Sequence, residues 1–371
     1  MNIKLNCKIA SASFAVIFFA VFGILSILSP DREYSEDENR YLAGKPSFTA
    51  KTVFSGDFQK EFEDYVNDQM VYRENFMGLY AAEQKLLGKS EYNGVYVTKG
   101  DRLIEKYVQP ENTVSIAERF KKLNDKTGAE CLLMLVPTAV SIYPEELPYK
   151  ASSENRQKEV MDYIYQNCGM TVIDVFNTMQ EAKKSCNPYY LTDHHWTSDG
   201  AYAAYRKFCE LRDLKASDPE DFTVETKSYD FYGTVYSKAL TINQKADEMK
   251  FYLQDMSGIS VKYRNGEGSL YNFDYLEKKD KYAAYLNGIQ PEITIENSNL
   301  PDGKTLLVVK DSYANCFVPF LINHYKTIVV LDTRYFRTGV SGKAKEIGAD
   351  EILLLFNLNT IDTDSAIAGV F

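Results

Sequence analysis

Residues Thr305 to Asn357 read TLLVVKDSYANCFVPFLINHYKTIVVLDTRYFRTGVSGKAKEIGADEILLLFN and contain three runs rich in leucine and β-branched residues. The runs TLLVV, TIVVLD and EILLLFN are of the continuous apolar kind that parallel strands require when both faces of a sheet are covered. The more polar stretches between them are typical of crossover helices. The segment therefore predicts a β-α-β-α-β unit of a doubly wound, mainly parallel α/β sheet, in which ligands bind beyond the carboxyl ends of the strands.

The same alternation of helix and strand begins near residue 111, where VSIAERFKKLNDKTG predicts an amphipathic helix and CLLMLVP a buried strand. We therefore assign residues 111–371 to one α/β domain. Within it, residues from about 215 to 300 break the rhythm with short aromatic strands and polar turns, which predicts an inserted lobe of mixed structure. Residues 31–110 predict a charged juxtamembrane stretch followed by helices that cap the domain.

The first 30 residues contain an uncharged apolar stretch, Ile9 to Leu28, which is long enough to cross a bilayer as a helix. Lys4 and Lys8 precede it and an acidic run follows Pro30. The positive-inside rule then places the N-terminus in the cytoplasm and the bulk of the chain outside. We expect a single-pass anchor in the cell membrane. A cleaved signal peptide is the alternative.

The charge and the cysteine pattern disfavour several classes of partner. The formal net charge is −10 and the sequence has no basic stripe of the kind that contacts phosphates, so nucleic acid is not an expected partner. The six cysteines show neither a C-x-x-C pair nor zinc-finger spacing, which disfavours a structural metal site. The sequence predicts no cofactor.

One short stretch, LTDHHWTSDGAY from Leu191 to Tyr202, contains two of the three histidines and the single tryptophan of the chain. If the segment is extended, Asp193 and His195 project to one face and His194 to the other. A carboxylate placed in this way can fix the tautomer of an imidazole. Adjacent residues of a strand cannot easily aim at one ion, so we predict no metal site here.

A nucleophile for this pair is available in LLVVKDSYANCF, where a predicted strand ends just before Ser312 and a helix is expected to follow. The serine hydroxyl would lie at the edge of the sheet, and N–H groups at the positive end of the helix could stabilise an oxyanion. Taken singly, Asp193 and Ser312 can be helix caps and His195 a core histidine. Their joint occurrence favours a Ser-His-Asp triad.

The sequence resembles the bacterial DHHW family, which is similar to the SGNH-hydrolase-like alginate O-acetylation proteins of the AlgX/AlgJ type. The stretches that carry the resemblance are ENRYLAGKPSF, FEDYVNDQMVYRENF, GVYVTKGDRLI, VPTAVSIYPEELP, YYLTDHHWTSDGAYAAY, KDKYAAYLNGIQP and LLVVKDSYANCFVPFL. The resemblance implies Asp193 as orienting acid, His195 as general base and Ser312 as nucleophile. It also implies acetyl transfer to an exported polysaccharide, with a membrane-bound O-acyltransferase as the acetyl donor.

Further residues are expected to support this site. The candidates for substrate or oxyanion contacts are Asn315, Asn287, Gly288, Tyr335 and Arg337. An ordinary loop turn explains Asn287 and Gly288 equally well, and a helix position explains Asn315. We expect His194 to hydrogen-bond beside the pair and Trp196 to pack as a core wedge, with a platform for sugars as the alternative role of the tryptophan.

These observations favour an extracytoplasmic, membrane-anchored serine O-acetyltransferase. An esterase that deacetylates carbohydrate is the alternative within the same chemistry, since the exclusion of water decides between them. A non-catalytic glycan-binding protein of the cell envelope is the alternative from another class.

Overall fold

The computed structural model describes residues 2–38, 40–149, 151, 156–332, 334–335 and 339–361. The chain divides into two compact units, one formed by Met1–Lys89 with Ser237–Asn243 and the other by Ser90–Tyr236 with Gln244–Phe371. The boundaries predicted at residues 30 and 110 stay predictions.

The first unit is mainly helical. Its elements are α1 (Asn2–Leu28), β1 (Tyr34–Ser35), β2 (Arg40–Tyr41), α2 (Ala50–Ser55), α3 (Asp57–Asp68) and α4 (Arg73–Leu86). Within α1, Lys8–Leu28 has a mean hydropathy of 2.4 and none of it is buried, so its length and composition suit a membrane anchor or a signal sequence. Phe18 and Phe22 of α1 pack against Phe76 of α4, with ring centroids 5.8 and 5.2 Å apart.

The second unit is a mixed α/β fold. Its elements before residue 200 are β3 (Glu91–Tyr92), β4 (Val95–Val97), β5 (Leu103–Glu105), α5 (Thr113–Lys126), β6 (Glu130–Val136), α6 (Ala139–Ile142), α7 (Gln157–Asn167), β7 (Thr171–Val172), α8 (Phe176–Ala182) and α9 (Ser198–Leu211). The later elements are β8 (Thr223–Phe231), α10 (Thr234–Ala239), β9 (Asp247–Leu253), β10 (Ile259–Tyr263), β11 (Gly266–Gly268), β12 (Glu292–Asn297), β13 (Thr305–Lys310), β14 (Thr327–Asp332), α11 (Val340–Ile347) and β15 (Glu351–Asn357).

In the described part of the chain, the main sheet has eight strands in the order β11-β10-β12-β14-β13-β15-β6-β7. The five strands from β14 to β7 run parallel to one another, and β12, β10 and β11 extend the sheet with antiparallel pairs. Part of the segment predicted as an inserted lobe therefore belongs to the main sheet, whereas β8 and β9 form a separate two-stranded sheet.

The apolar runs TLLVV, TIVVLD and EILLLFN form the buried strands β13, β14 and β15, as predicted. Every residue of β15 is buried, and so is every residue of β13 after Thr305. The helix predicted after β13 is wrong, because the chain there forms two 3-10 turns, Ser312–Cys316 and Val318–Leu321. Pro319 gives a physical reason, since it lacks the N–H that would continue an α-helix.

Candidate active site

The loop that carries Asp193 and His195 reverses direction instead of continuing as a strand. Tyr189 and Trp196 form an isolated antiparallel bridge, and the Tyr190 N–H donates to the His195 carbonyl at 3.3 Å. Asp193 stabilises the reversal by accepting the backbone N–H of His195 at 3.0 Å. Aspartate side chains commonly compete with strand pairing in this way. The prediction of an extended Asp193 to His195 segment is therefore wrong.

The loop nevertheless places Asp193, His195 and Ser312 in one hydrogen-bonded line. Asp193 Oδ1 lies 2.5 Å from His195 Nδ1, and His195 Nε2 lies 2.8 Å from Ser312 Oγ. Asp193 and His195 are 3% and 5% exposed, whereas Ser312 is only half-buried. The arrangement has the geometry of an orienting acid, a base and a reachable nucleophile.

The second oxygen of Asp193 is held by a residue that the sequence argument missed. Asp193 Oδ2 accepts the Thr234 backbone N–H at 2.8 Å and its hydroxyl at 3.0 Å. Gly233 lets this turn approach, because a Cβ added there would lie 2.2 Å from the Cβ of Asp193. Only glycine fits such a contact. The segment FYGTVY lies outside every motif that the sequence argument singled out.

His194 lies beside His195, and its expected position on the opposite face is wrong. The two imidazole centroids are 3.8 Å apart, and His194 Nδ1 lies 2.5 Å from Thr234 Oγ1. Because Thr234 also donates to Asp193, His194 contacts the residue that holds the acid. The hydrogen-bonding role predicted for His194 thus has a specific partner in the structure.

One ligand atom each from Asp193, His194 and His195 lies within 4.8 Å of the others, so these three residues could hold a metal ion. The expectation that these adjacent residues cannot easily aim at one ion is wrong, because the segment is a turn. The hydrogen bonds of the site nevertheless disfavour a metal. Both oxygens of Asp193 already accept hydrogen bonds, and His195 Nδ1 is occupied by Asp193. These hydrogen bonds fit a proton relay and leave the carboxylate no free oxygen for a cation.

Trp196 connects the loop of Asp193 and His195 to the turn that contains Ser312. It is fully buried, its Nε1–H donates to the Tyr313 carbonyl at 2.8 Å, and its ring stacks against Phe317. A second hydrogen bond connects the same two segments, because the Tyr313 hydroxyl donates to the His194 carbonyl. A buried tryptophan cannot offer its face to a sugar, so the core-wedge interpretation of Trp196 is the one that the structure supports.

Two buried charges fix the backbone of the loop from opposite sides. Arg102 donates to the carbonyls of Tyr189 and Tyr190 at 2.9 and 3.0 Å. Asp247 accepts the N–H groups of Leu191 and Thr192 at 2.7 and 2.8 Å. Burial raises the pKa of Asp247 to about 6.

The turn of Ser312 is fixed by its neighbour Asp311, which is fully buried. The Asp311 carboxylate accepts the Tyr313 N–H at 2.8 Å, the Asn357 N–H at 2.7 Å and the Thr360 hydroxyl at 2.9 Å. These bonds connect the turn of Ser312 to the carboxyl end of β15. Burial raises the pKa of Asp311, and the hydrogen bonds oppose that rise.

Tyr282 is the second residue that the sequence argument missed. Its ring stacks on the His195 imidazole at a centroid distance of 3.7 Å and an interplanar angle of 7°. Its hydroxyl donates to the Ser312 carbonyl and to Cys316 Sγ, each at 3.2 Å. It belongs to KDKYAAYLNGIQP, a stretch in which the sequence argument chose Asn287 and Gly288.

The other residues that were predicted to contact the substrate or the oxyanion lie in different surroundings. Asn287 and Gly288 form a turn with positive φ of 56° and 73°, and in the described part of the chain neither hydrogen-bonds to the Asp193–His195–Ser312 line. Asn315 is 3% exposed, and its Oδ1 has no hydrogen-bond partner among the residues that the structure describes. Tyr335 is 52% exposed and lines a groove with Lys262 and Arg264 among others, and Arg337 lies outside the described residues.

Electrostatics favours a charged acid and a neutral base. Burial lowers the pKa of His195 to about 4, with a smaller contribution from the neighbouring His194. Burial alone would raise the pKa of Asp193. The charges of His195 and His194 and the hydrogen bonds outweigh burial, so the pKa of Asp193 lies well below its usual range. At neutral pH, His195 Nε2 is therefore free to accept the Ser312 proton.

A family model described as DHHW protein matches residues 81–331. A curated relative, the probable alginate O-acetylase AlgJ of Pseudomonas syringae pv. tomato, is 23% identical over 240 residues, which is 58% of this chain. The match spans 59% of the length of that relative.

Two solved structures share the fold. A DHHW family protein from Eubacterium siraeum superposes with a TM-score of 0.64 at 23% identity and covers 75% of this chain and 96% of its own. Bacillus cereus PatB1 with a sulfonyl adduct gives a TM-score of 0.61 at 19% identity and covers 74% of this chain and 98% of its own.

Proposed function

This chain belongs to the DHHW protein family, and from that membership we propose that it is an extracytoplasmic O-acetyltransferase of a cell-surface or exported polysaccharide. The observation that carries the proposal is the hydrogen-bonded line from Asp193 through His195 to Ser312. The name of the AlgJ relative supports acetyl as the transferred group. We also propose that the helices cover both faces of the sheet in a doubly wound, SGNH-like arrangement.

The proposed reaction has two halves. Ser312 Oγ attacks the carbonyl carbon of an acetyl ester while His195 Nε2 takes its proton, and Asp193 stabilises the imidazolium. The proton then passes to the leaving oxygen of the donor, and acetyl-Ser312 remains. In the second half, His195 removes the proton from a sugar hydroxyl, which attacks the acetyl group, and the proton returns to Ser312.

Asn315 is the side chain best placed to stabilise the oxyanion of both halves. The five-residue 3-10 turn is too short to support the helix-end argument of the sequence analysis. In such a turn, residues three apart lie on the same side, so Asn315 follows Ser312 on one face. Asn315 is buried, and its Oδ1 has no hydrogen-bond partner among the described residues. We propose that its Nδ2 donates to the oxyanion.

Asn315→Ala is expected to lower kcat for an activated acetyl ester by about 10²- to 10³-fold, which is the usual cost of losing one oxyanion donor. The matched control is Asn167→Ala, at the exposed end of α7, which should stay within about threefold of the wild type. Equal losses in the two variants would show that Asn315 has no special part in the reaction.

The acidic limb of kcat/KM is expected near pH 4. The base must be neutral to accept a proton, and burial lowers the pKa of His195 to about 4. Activity should therefore appear as the pH rises through that value and stay level towards neutrality. Hydrolysis of an activated acetyl ester between about pH 3.5 and 8 measures the limb, with circular dichroism as the check on folding. A midpoint at or above the ordinary histidine value of about 6.5 would contradict the assignment.

The proposed function includes an acetyl donor and an acetyl acceptor. We place the acetyl supply with a membrane-bound O-acyltransferase and the anchoring with α1, whose apolar segment is long enough to cross a bilayer. Half-buried Ser312 leaves room for water as the acceptor, so carbohydrate esterase is the second candidate. Incubation of acetyl-enzyme with an oligosaccharide separates them: an acetylated sugar indicates a transferase, and acetate alone indicates an esterase.

A further inference from the structure

Tyr282 contacts the side chain of His195 and the backbone carbonyl of Ser312, the proposed base and the proposed nucleophile. Its ring is parallel to the His195 imidazole to within 7°, at a centroid distance of 3.7 Å. A stack this close covers one whole face of the imidazole and excludes water from it. Burial raises the pKa of the Tyr282 phenol well above its ordinary value, so the hydroxyl remains a neutral donor at every working pH.

Two further tyrosines pack against the ring of Tyr282. Tyr190 meets it edge-on at 6.5 Å and Tyr285 meets it at 5.2 Å, and both of these rings are 1% exposed. The hydroxyl of Tyr282 is fixed by the Ser312 carbonyl and Cys316 Sγ. Tyr282 therefore has little freedom to move, and the surface that it presents to His195 is rigid.

The imidazole of His195 needs such a support, because the last torsion of a histidine has broad, weakly defined minima. Its Nδ1 has to face Asp193 while its Nε2 faces Ser312, and a rotation of the ring breaks both contacts. Asp193 holds only the Nδ1 side. The stack with Tyr282 fixes the plane of the ring, and the hydroxyl of the same residue fixes the backbone of the nucleophile.

We propose that Tyr282 is the positioning residue of the catalytic pair: its ring fixes the plane and the dry environment of His195, and its hydroxyl fixes the Ser312 turn. The inference rests on the proposed function for its kinetic consequence. Its structural part concerns His195 alone and can be tested without turnover.

The groups that face His195 define what a titration of this residue would report. The loop of His195 contributes Asp193 and His194, and Arg334, beyond the end of β14, adds a positive charge. Asp280, which directly precedes the 3-10 turn Lys281–Ala284 that contains Tyr282, is exposed and interacts electrostatically with Asp193. None of these groups is removed by changing Tyr282, so a shift after that change reports the loss of the ring.

The test compares Tyr282→Phe with Tyr282→Ala in the full chain, in detergent. With only three histidines in the sequence, ¹³C-labelled histidine signals can be assigned by substitution and His195 titrated directly. We expect Tyr282→Phe, which keeps the ring, to leave the His195 midpoint unchanged. In Tyr282→Ala water reaches the imidazole, and the midpoint should move by at least about one unit towards the ordinary value of about 6.5.

Kinetics supplies the second readout. Tyr282→Ala should lower kcat by about 10²-fold with little change in KM, because misplaced reacting groups reduce turnover more than binding. The matched control is Tyr271→Ala, which removes a ring of equal size that contacts neither His195 nor Tyr282 among the described residues. Its His195 midpoint should stay at the wild-type value. Tyr282→Leu, which fills the space without a ring, covers the case in which the alanine variant fails to fold, and we expect at least a tenfold loss of kcat.

An unchanged His195 midpoint in Tyr282→Ala would overturn the inference, and so would wild-type kcat in Tyr282→Leu. A His195 midpoint that shifts as far in Tyr271→Ala as in Tyr282→Ala would show that any lost ring in this region has the same effect, and it would also overturn the inference. Failure of the proposed function is a separate result, since it would appear as wild-type protein that forms no acetyl-Ser312.

Discussion

Ser312→Ala is expected to lower turnover of an activated acetyl ester by about 10⁴- to 10⁶-fold, the range found when a serine nucleophile acting with a histidine is removed. Ser312 Oγ is the atom that His195 Nε2 contacts, at 2.8 Å. The change deletes a single hydroxyl from a half-buried position, so the fold should be retained. Steady-state kinetics together with thermal unfolding checks both parts of the expectation.

The matched control for this variant is Ser257→Ala, because Ser257 lies in an exposed turn where its hydroxyl contacts only Asp255 among the described residues. It should keep wild-type turnover. A Ser312→Ala protein that retains more than about a tenth of wild-type turnover would exclude Ser312 as the nucleophile.

Asp193→Asn is expected to lower kcat by about 10⁴-fold, by analogy with the loss of the acid in serine triads. All the hydrogen-bonding partners of this carboxylate are donors: the N–H and Nδ1 of His195 and the N–H and hydroxyl of Thr234. An asparagine NH₂ in either oxygen position would face a donor, so His195 would adopt the wrong tautomer or rotate. The Asp193→Asn kcat at neutral pH measures the effect.

The free energy of unfolding of Asp193→Asn must be measured together with its kcat, because a buried donor left unpaired lowers stability by about 1–3 kcal/mol. Asp247→Asn is a useful comparison, since Asp247 is another buried carboxylate of the loop and contacts its backbone instead of His195. We expect similar losses of stability in the two variants and a far greater loss of kcat in Asp193→Asn. A folded Asp193→Asn protein within tenfold of wild-type kcat would show that the acid has no part in the reaction.

The strands of the main sheet could be predicted because burial on both faces leaves a plain mark in sequence. Every residue of EILLLFN is buried, and the runs that become β13 and β14 follow the same rule. The position of β13 between β14 and β15 could not be read from chain order, since it depends on pairings between distant segments. The local deviation after β13 depends on Asp311, which accepts the Tyr313 N–H, and on Pro319.

The pairing of Asp193 with His195 was predicted from the alternation of side chains along a strand. The structure shows the same pairing in a turn, in which Asp193 accepts the His195 N–H. Both geometries bring residues i and i+2 together, so the spacing alone could not separate them. A strand and a turn differ in where they place the middle residue, His194. In the turn, His194 lies beside His195 instead of opposite to it.

Thr234 and Tyr282 could not be predicted because nothing in their local sequence marks them. Thr234 reaches Asp193 across 41 residues and Tyr282 reaches Ser312 across 30. Tyrosine occurs 28 times in the chain, so its residue type carries no signal. Only the fold, which places their turns against the ends of the loop and of β13, distinguishes these two side chains.

The most direct test of the proposed mechanism is peptide mapping by mass spectrometry after the wild type, Ser312→Ala and His195→Ala are treated with an activated acetyl ester and quenched in acid. We predict one acetyl group on the peptide that contains Ser312 in the wild type and none on the corresponding peptide of either variant. A wild type without the adduct, or a Ser312→Ala protein acetylated to the same extent, would contradict a serine mechanism at this site.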